Sequence, residues 1–428
     1  MRQMKDSGIE WIGEIPESWK VLCACQCFSQ VKNKNEGLSE TNLLSLSYGK
    51  LKRKSMDTTE GLLPESFESY NIIEAGDIVL RLTDLQNDHT SLRVGLSKER
   101  GIITSAYVTL RNYSKNVPKY LYYYLHSYDI AKGFYGMGAG VRQGLNWEGL
   151  KHLKVLAPMP QEQHLISAYL DRQCTLIDSV IEKTKASIEE YKKLRQAVIT
   201  QAVTKGVRGD RAMKDSGIEW IGEICSDYSI NRLKFLLLEP LMYGANESGE
   251  PFNERLPRYI RITDINMNGT LKETGRLSLN EETAQNYLLD KGDILFARSG
   301  GTVGKAFIFK SEYGKSAFAG YLIRARMKKS IVPKYIYYYT QSSIYEEWKK
   351  QTFIQSTIQN IGADRYNQLP IITQSFMEQQ EIAEYLDKKC AEIDSLITKK
   401  EQFLTELDTY KKSLIYEYVT GKKEVPQA

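Results

Sequence analysis

Apolar and polar positions along the chain follow two alternating regimes. Short runs such as "NLLSLSYGKL", "GDIVLRL" and "SAYVTLRN" are rich in Leu, Ile, Val, Thr and Tyr and are bounded by Gly, Asn and Asp. That pattern predicts strands. "PKYLYYYLHSYDIAKGF" then predicts a helix, with Pro118 in its first turn. From Pro160 the regime changes, and no breaker interrupts the chain until Gly206. Within this stretch Ile177, Ile181, Thr184, Ile188, Tyr191, Arg195 and Val198 step alternately by four and three, the heptad spacing of a coiled coil. A second such stretch runs from about Ser375, a good N-cap, to Gly421. Its seam is Ile393, Ile397, Lys400, Leu404, Leu407, Lys411 and Leu414. Two matching stripes in one chain are expected to bury against each other. Polar Thr184 and Lys400 fall at equivalent seam positions, as do Arg195 and Lys411, and such residues fix register at some cost in stability.

The same order of elements is written twice. "MKDSGIEWIGEIPESW" at Met4 returns as "MKDSGIEWIGEICSDY" at Met213, and "GDIVL" at Gly76 returns as "GDILF" at Gly292. "VPKYLYYYL" at Val117 returns as "VPKYIYYYT" at Val332, and "AYLDRQCTLIDSVI" at Ala168 returns as "EYLDKKCAEIDSLI" at Glu384. A repeat this long is a duplicated domain pair, not a solenoid. The expected organisation is an opening segment (1–20), a mixed α/β globule (21–157) and a spacer helix (158–206). A second opening segment (207–224), a second globule (225–372) and a second spacer helix (373–424) follow. Antiparallel helices would give the pair a pseudo-two-fold axis, with each opening motif near the end of the other helix. The second opening loses its proline and tryptophan where "CSDYS" replaces "PESWK", so the two junctions are expected to pack differently.

Composition narrows the function. With 428 residues, 42% apolar and 26% charged, the chain can fill several cores. No apolar run is long enough for a membrane span, and "MRQMKDSG" lacks the apolar stretch of a signal peptide, so a cytoplasmic protein is expected. A net charge of +5 permits nucleic-acid binding without demanding it. Cys23, Cys25 and Cys27 alternate as on one face of a strand, and no Cys or His spacing suits a metal. Only three residues separate Gly300 from Gly304–Lys305 in "GGTVGKA", and Ala306 replaces the hydroxyl residue, so a phosphate-binding loop is not expected. Glu347–Trp348–Lys349 lies in an apparent helix without a partner acid. The tyrosine runs, Tyr122–Tyr124 and Tyr337–Tyr339, read as core with one ring exposed. No catalytic residue, metal site or cofactor site is expected in this chain, which favours a binding module over an enzyme.

Two similar heads in one chain suit a two-part site on double-stranded DNA. Arg81, Thr83, Gln86 and Asn87 follow "GDIVL", and Arg298, Ser299, Thr302 and Lys305 follow "GDILF". Arg grips guanine, Asn and Gln grip adenine, and Lys neutralises phosphate. A second polar loop follows each tyrosine helix, with Arg142 and Gln143 in one copy and Gln355, Thr357, Gln359 and Asn360 in the other. The same loop positions with different residues in each copy are what two different recognition heads require.

The opening "MKDSGIEWIGEIPESW", the helices "QEQHLISAYLD…IDSVI" and "EQQEIAEYLDKKCAEIDSLI", and the endings "VTKG" and "VTGK" resemble the specificity subunit of type I restriction–modification systems. The resemblance covers both copies. It implies two target recognition domains and two helical regions forming an antiparallel coiled coil. Each domain would read half of a split target, and the helices would set the gap and bind two modification (methyltransferase) subunits. S-adenosylmethionine, ATP and Mg chemistry would belong to those partners and to the restriction subunits joined through them. The recognition loops would then fall near Arg81–Asn87 and Gly140–Asn146, and near Arg298–Lys305 and Gln355–Asn360. Two rival readings are a coiled-coil adaptor with protein-binding heads and an enzyme whose site is not recognised.

Overall fold

The computed structural model describes residues 2–56, 66–88, 90–137, 144–266, 269–354 and 360–426. The chain divides into two compact units, Met1–Thr184 with Gln402–Ala428, and Lys185–Glu401. Each contains one mixed α/β head and a segment of both long helices.

The head of the first unit is built on a four-stranded antiparallel sheet, ordered Phe28–Gln30, Val108–Asn112, Ile78–Leu80, Val94–Leu96. Ile78 to Leu80 are buried on both faces: Ile78 and Leu80 share a core with the helix Pro118–Ile130, and Val79 packs on the other side with Leu44, Leu46, Ile73 and Ile103. The recurrent Gly-Asp makes the turn into the central strand. Gly76 adopts φ +93°, open to glycine without strain, and the Asp77 carboxylate accepts the Glu74 amide at 2.8 Å. Asp77 also takes both arms of Arg111 at 2.8 and 2.6 Å. Lys154–Ala157 pairs with Lys20–Cys23 and leads into the long helix Pro160–Lys205, of 46 residues.

The second unit repeats this frame. Its antiparallel sheet runs Met242–Tyr243, Leu322–Ala325, Ile294–Ala297, Ala306–Ile308. Gly292 has φ +92°, and Asp293 accepts the Asp290 amide at 2.8 Å and both arms of Arg326 at 2.8 and 2.7 Å. A second sheet, Glu250–Pro251, Leu277–Ser278, Arg258–Ile260, Ser316–Phe318, includes one parallel pair; the first head has a smaller counterpart, Asn71–Ile73 with Gly101–Ile103, which Leu43 joins by a parallel bridge to Ile102. Pro333–Tyr339 and Ser343–Ile354 stand where the first unit has one helix, and Phe376–Val419, of 44 residues, is the second long helix.

The long helices pack antiparallel within each unit. In the first, Ile177 and Ile181 share a core with Leu407 and Leu414, and Lys411 reaches Asp178 at 2.5 Å. In the second, Arg195 binds Asp394 at 2.9 Å and the Lys400 ammonium lies 5.6 Å from the Tyr191 ring centre. The seam residues Ile177, Thr184, Ile188, Ile393 and Leu414 are buried, and Ile181, Tyr191, Val198, Ile397, Leu404 and Leu407 are partly so. The fold class read from the sequence therefore holds.

Each opening motif forms a small hairpin, Met4–Asp6 with Glu14–Pro16 and Met213–Asp215 with Glu223–Cys225. The first lies against the end of the C-terminal helix, where Lys422 donates to the Glu14 carbonyl at 2.6 Å and the Tyr416 hydroxyl to that of Trp11 at 3.3 Å. Buried Trp19 donates its indole N–H to Glu162 at 3.0 Å. In the second unit Tyr228 takes the place of Trp19, and its hydroxyl donates to Glu378.

Three local expectations are corrected. "NLLSLSYGKL" is not one strand but a hairpin, Leu44–Ser47 with Lys50–Arg53, turning at Tyr48 (φ 47°) and Gly49 (φ 73°). Cys23 ends a strand and Ala24–Cys27 is a short helical turn, so the three cysteines do not share a strand face. None of the clustered tyrosines is exposed: Tyr122 and Tyr337 are partly buried, and Tyr123, Tyr124, Tyr338 and Tyr339 are buried. One helix face meets the sheet and another meets the long helices, so only parts of Tyr122 and Tyr337 are left to solvent.

Candidate nucleic-acid interface

The described end of the second polar loop of each head bonds to the first beside the same central strand. In the first unit the Leu145 amide donates to the Leu82 carbonyl at 2.9 Å. In the second, the Ile361 amide donates to the Arg298 carbonyl at 2.9 Å, and Ser299 forms a bridge with Asn360. These are equivalent bonds at equivalent places. They match Leu82 with Arg298, as the spacing of the two Gly-Asp motifs does. Leu82 is buried, while Arg298 is partly exposed, so the two heads differ in what they present at this point.

In the first loop Thr83, Gln86 and Asn87 are exposed, and Asn87 donates to Asp84 at 2.8 Å. Arg81 is partly exposed and lies 3.7 Å from Asp88. Hydrogen bonds from Ser91 hold the Asp88 carboxyl well below the usual carboxylate range. Buried Asp129 is pushed up to about 6 by desolvation, although it accepts the Arg93 amide at 2.6 Å. Arg142 and Gln143, and in the other head Gln355, Thr357 and Gln359, lie outside the described residues.

In the second head Ser299, Thr302, Lys305 and Asn360 are all partly exposed. The Arg298 guanidinium stacks 5.0 Å from the centre of the Tyr243 ring. Its Nε and the Asn360 Oδ1 are buried without a hydrogen-bond partner. Buried polar atoms are normally paired, so this cluster has unspent bonding capacity next to solvent. The Arg298 amide donates to the carbonyl of Tyr321, whose side chain is 63% exposed. Sequence reasoning missed Tyr243 and Tyr321. Tyr243 comes from a distant strand, and only the sheet order brings it under Arg298.

Each head is fixed to the helices by a repeated set of polar contacts. Buried Gln163 accepts the Val117 amide at 2.7 Å, and buried Gln379 accepts that of Val332 at 2.9 Å. Asp171 takes Lys119 at 2.5 Å and the Tyr123 hydroxyl at 2.9 Å, while Asp387 takes Lys334 at 2.6 Å and that of Tyr338 at 2.7 Å. One position differs. In the second unit Arg195 donates to Gln341 at 2.8 Å. His126 holds that place in the first, stacked on Tyr122, its Nδ1 buried and unpaired.

Burial, with Lys411 and Lys412 nearby, pushes His126 down to about 4. A histidine lowered from about 6.5 contributes stability that is present above pH 6.5 and lost as the pH falls through 4, about 3 kcal/mol at most. His126→Gln, which copies Gln341, should flatten the acid loss of stability of the first unit over that range. Urea melts at pH 7 and pH 4.5 check this, and an unchanged pH slope would contradict it.

Among the described residues no group of His, Cys, Asp and Glu could hold a metal, and no helix is long and apolar enough to cross a membrane.

A head built twice on one frame, with divergent loops and an antiparallel helix seam, is the arrangement against which known proteins compare as follows. The type I restriction modification DNA specificity domain matches residues 256–406. The chain is 23% identical over 297 residues to the specificity subunit of the type I restriction enzyme EcoBI of Escherichia coli, over 64% of this chain and 60% of that protein. It is 32% identical over 136 residues to the StySPI specificity subunit of Salmonella potsdam, over 30% of this chain and 28% of that protein. The matches thus span less than two thirds of either relative's length. A chain solved in work on complex assembly and conformational transition of the type I R-M system shares the fold at TM-score 0.70 and 13% identity, over 96% of this chain and 99% of that one. The HsdS subunit from Thermoanaerobacter tengcongensis follows at TM-score 0.50 and 14% identity, over 96% and 98%. The chain is therefore similar to type I restriction–modification specificity subunits in sequence and shares the fold of solved examples, and its residues 256–406 match their DNA specificity domain.

Proposed function

We propose that this chain is the non-catalytic, sequence-reading subunit of a type I restriction–modification complex. Each head reads one half of a bipartite DNA target. The long helices set the gap and bind modification subunits, through which restriction subunits join. S-adenosylmethionine, ATP and Mg act on those partners. The observation that carries the reading is the equivalent bond in both heads, Leu145 to Leu82 and Ile361 to Arg298, which ties the described end of one polar loop to the other on a constant frame with different residues.

The test is an exchange of residues 21–157 for the first recognition domain of another specificity subunit. DNA retained from a randomised duplex pool should then change in one motif only. A change in both motifs, or in neither, would overturn the assignment of one half-site to each head.

A further inference from the structure

Arg93 is fully buried, and the recognition surface leaves its role unexplained. All three guanidinium nitrogens donate. Nη1 reaches the carbonyls of Arg81 at 3.0 Å and Thr83 at 2.8 Å. Nη2 reaches those of Asp84 at 3.3 Å and Asp88 at 2.5 Å, and Nε reaches the Tyr135 hydroxyl at 3.2 Å. The Tyr135 ring lies 5.1 Å from the guanidinium, and its hydroxyl donates to the Asp88 carbonyl at 3.0 Å. The Arg93 backbone is pinned as well: its carbonyl accepts the Arg81 amide at 2.9 Å, and its amide donates to Asp129.

This arrangement has a steric consequence for the loop. Four carbonyls of one segment turn inward onto one planar cation, which supplies five N–H donors in a fixed fork. Asp84 takes a left-handed conformation, φ 56°, to make that turn. With the carbonyls inside, Thr83, Gln86 and Asn87 are held outside. The shorter loop of the second head, Arg298 to Lys305, closes on its own backbone instead. There the Gly304 amide donates to the Ala297 carbonyl at 2.8 Å and the Val303 amide to that of Gly300 at 3.0 Å.

We infer that Arg93 is the positioning residue of the first reading loop: it touches no DNA, and it sets the loop shape on which base preference at the first half-site depends. This rests on the proposed DNA-reading function. Lysine offers one nitrogen and cannot span four carbonyls, and methionine offers none.

The test uses the full-length chain with Arg93→Lys and Arg93→Met, in two arms. In selection from a randomised duplex pool, both variants should lose the first motif and keep the second at wild-type enrichment, with an unchanged salt dependence of retention. In hydrogen exchange, amides of the 82–92 segment should exchange at least about tenfold faster, with strands Ile78–Leu80 and Val108–Asn112 unchanged. Survival of the first motif in both variants would overturn the inference. So would loss of both motifs, or faster exchange throughout the unit, since Arg93 would then support the fold and not the loop. A wild-type chain that retains no motif would sink the DNA reading, while the exchange arm would still decide whether Arg93 shapes the loop.

Discussion

Asp77→Ala is expected to destabilise the first unit by about 2–4 kcal/mol, and Asp293→Ala the second by a similar amount. Each carboxylate is almost fully buried and does three things at once. It accepts the amide that opens a turn whose third residue is a left-handed glycine, and it accepts one bond from each of two nitrogens of an arginine on the neighbouring strand. Removing it strands that arginine and an amide. Arg111 is 42% exposed and can be partly rehydrated, which keeps the cost below that of breaking a fully buried pair. Arg326 retains Glu239 and Asp290 nearby, which cushions its loss in the same way. Urea unfolding should show the transition of the substituted unit moving and that of the other unit staying. A loss below about 1 kcal/mol, the median scale of a surface pair, would mean that the Gly-Asp repeat is incidental.

Trp19→Ala should cost the first unit about 3–5 kcal/mol, the range for emptying a large core position. Trp19 is 1% exposed, donates to Glu162 and meets Tyr120 edge-on at 6.5 Å. Trp19→Tyr should cost far less, because the second unit already places Tyr228 against Glu378 in this way. Thermal or urea unfolding of the two variants side by side checks the ordering. Equal losses would contradict the finding that a tyrosine bonded to a glutamate can hold this place, which the second junction shows despite the expectation that the two would pack differently.

The repeat made the frame legible. Motifs that recur in the sequence became equivalent contacts: the Gly-Asp turn, the glutamine at each long-helix start, and the Asp171 and Asp387 bonds. The heptad steps revealed the helix seam because buried positions on a helix recur at fixed spacing. What lay outside the repeat was harder to read. The turn at Tyr48 was hidden because a tyrosine, not an asparagine or a second glycine, holds the left-handed position. The second sheet of the second head joins Arg258–Ile260 to Ser316–Phe318 in parallel, a pairing that no local pattern encodes. Arg93 looks like a surface charge in sequence, since its partners are backbone carbonyls that carry no sequence signal. Tyr243 reaches Arg298 only through sheet order.

The measurement that tests the central claim most directly is selection of a randomised duplex pool by the full-length chain, with and without modification subunits, followed by sequencing of the retained DNA. Two short, different motifs at one fixed separation are the predicted result. Salt-sensitive retention without any motif, or no retention at all, would contradict it, the first leaving a general DNA binder and the second a protein-binding adaptor.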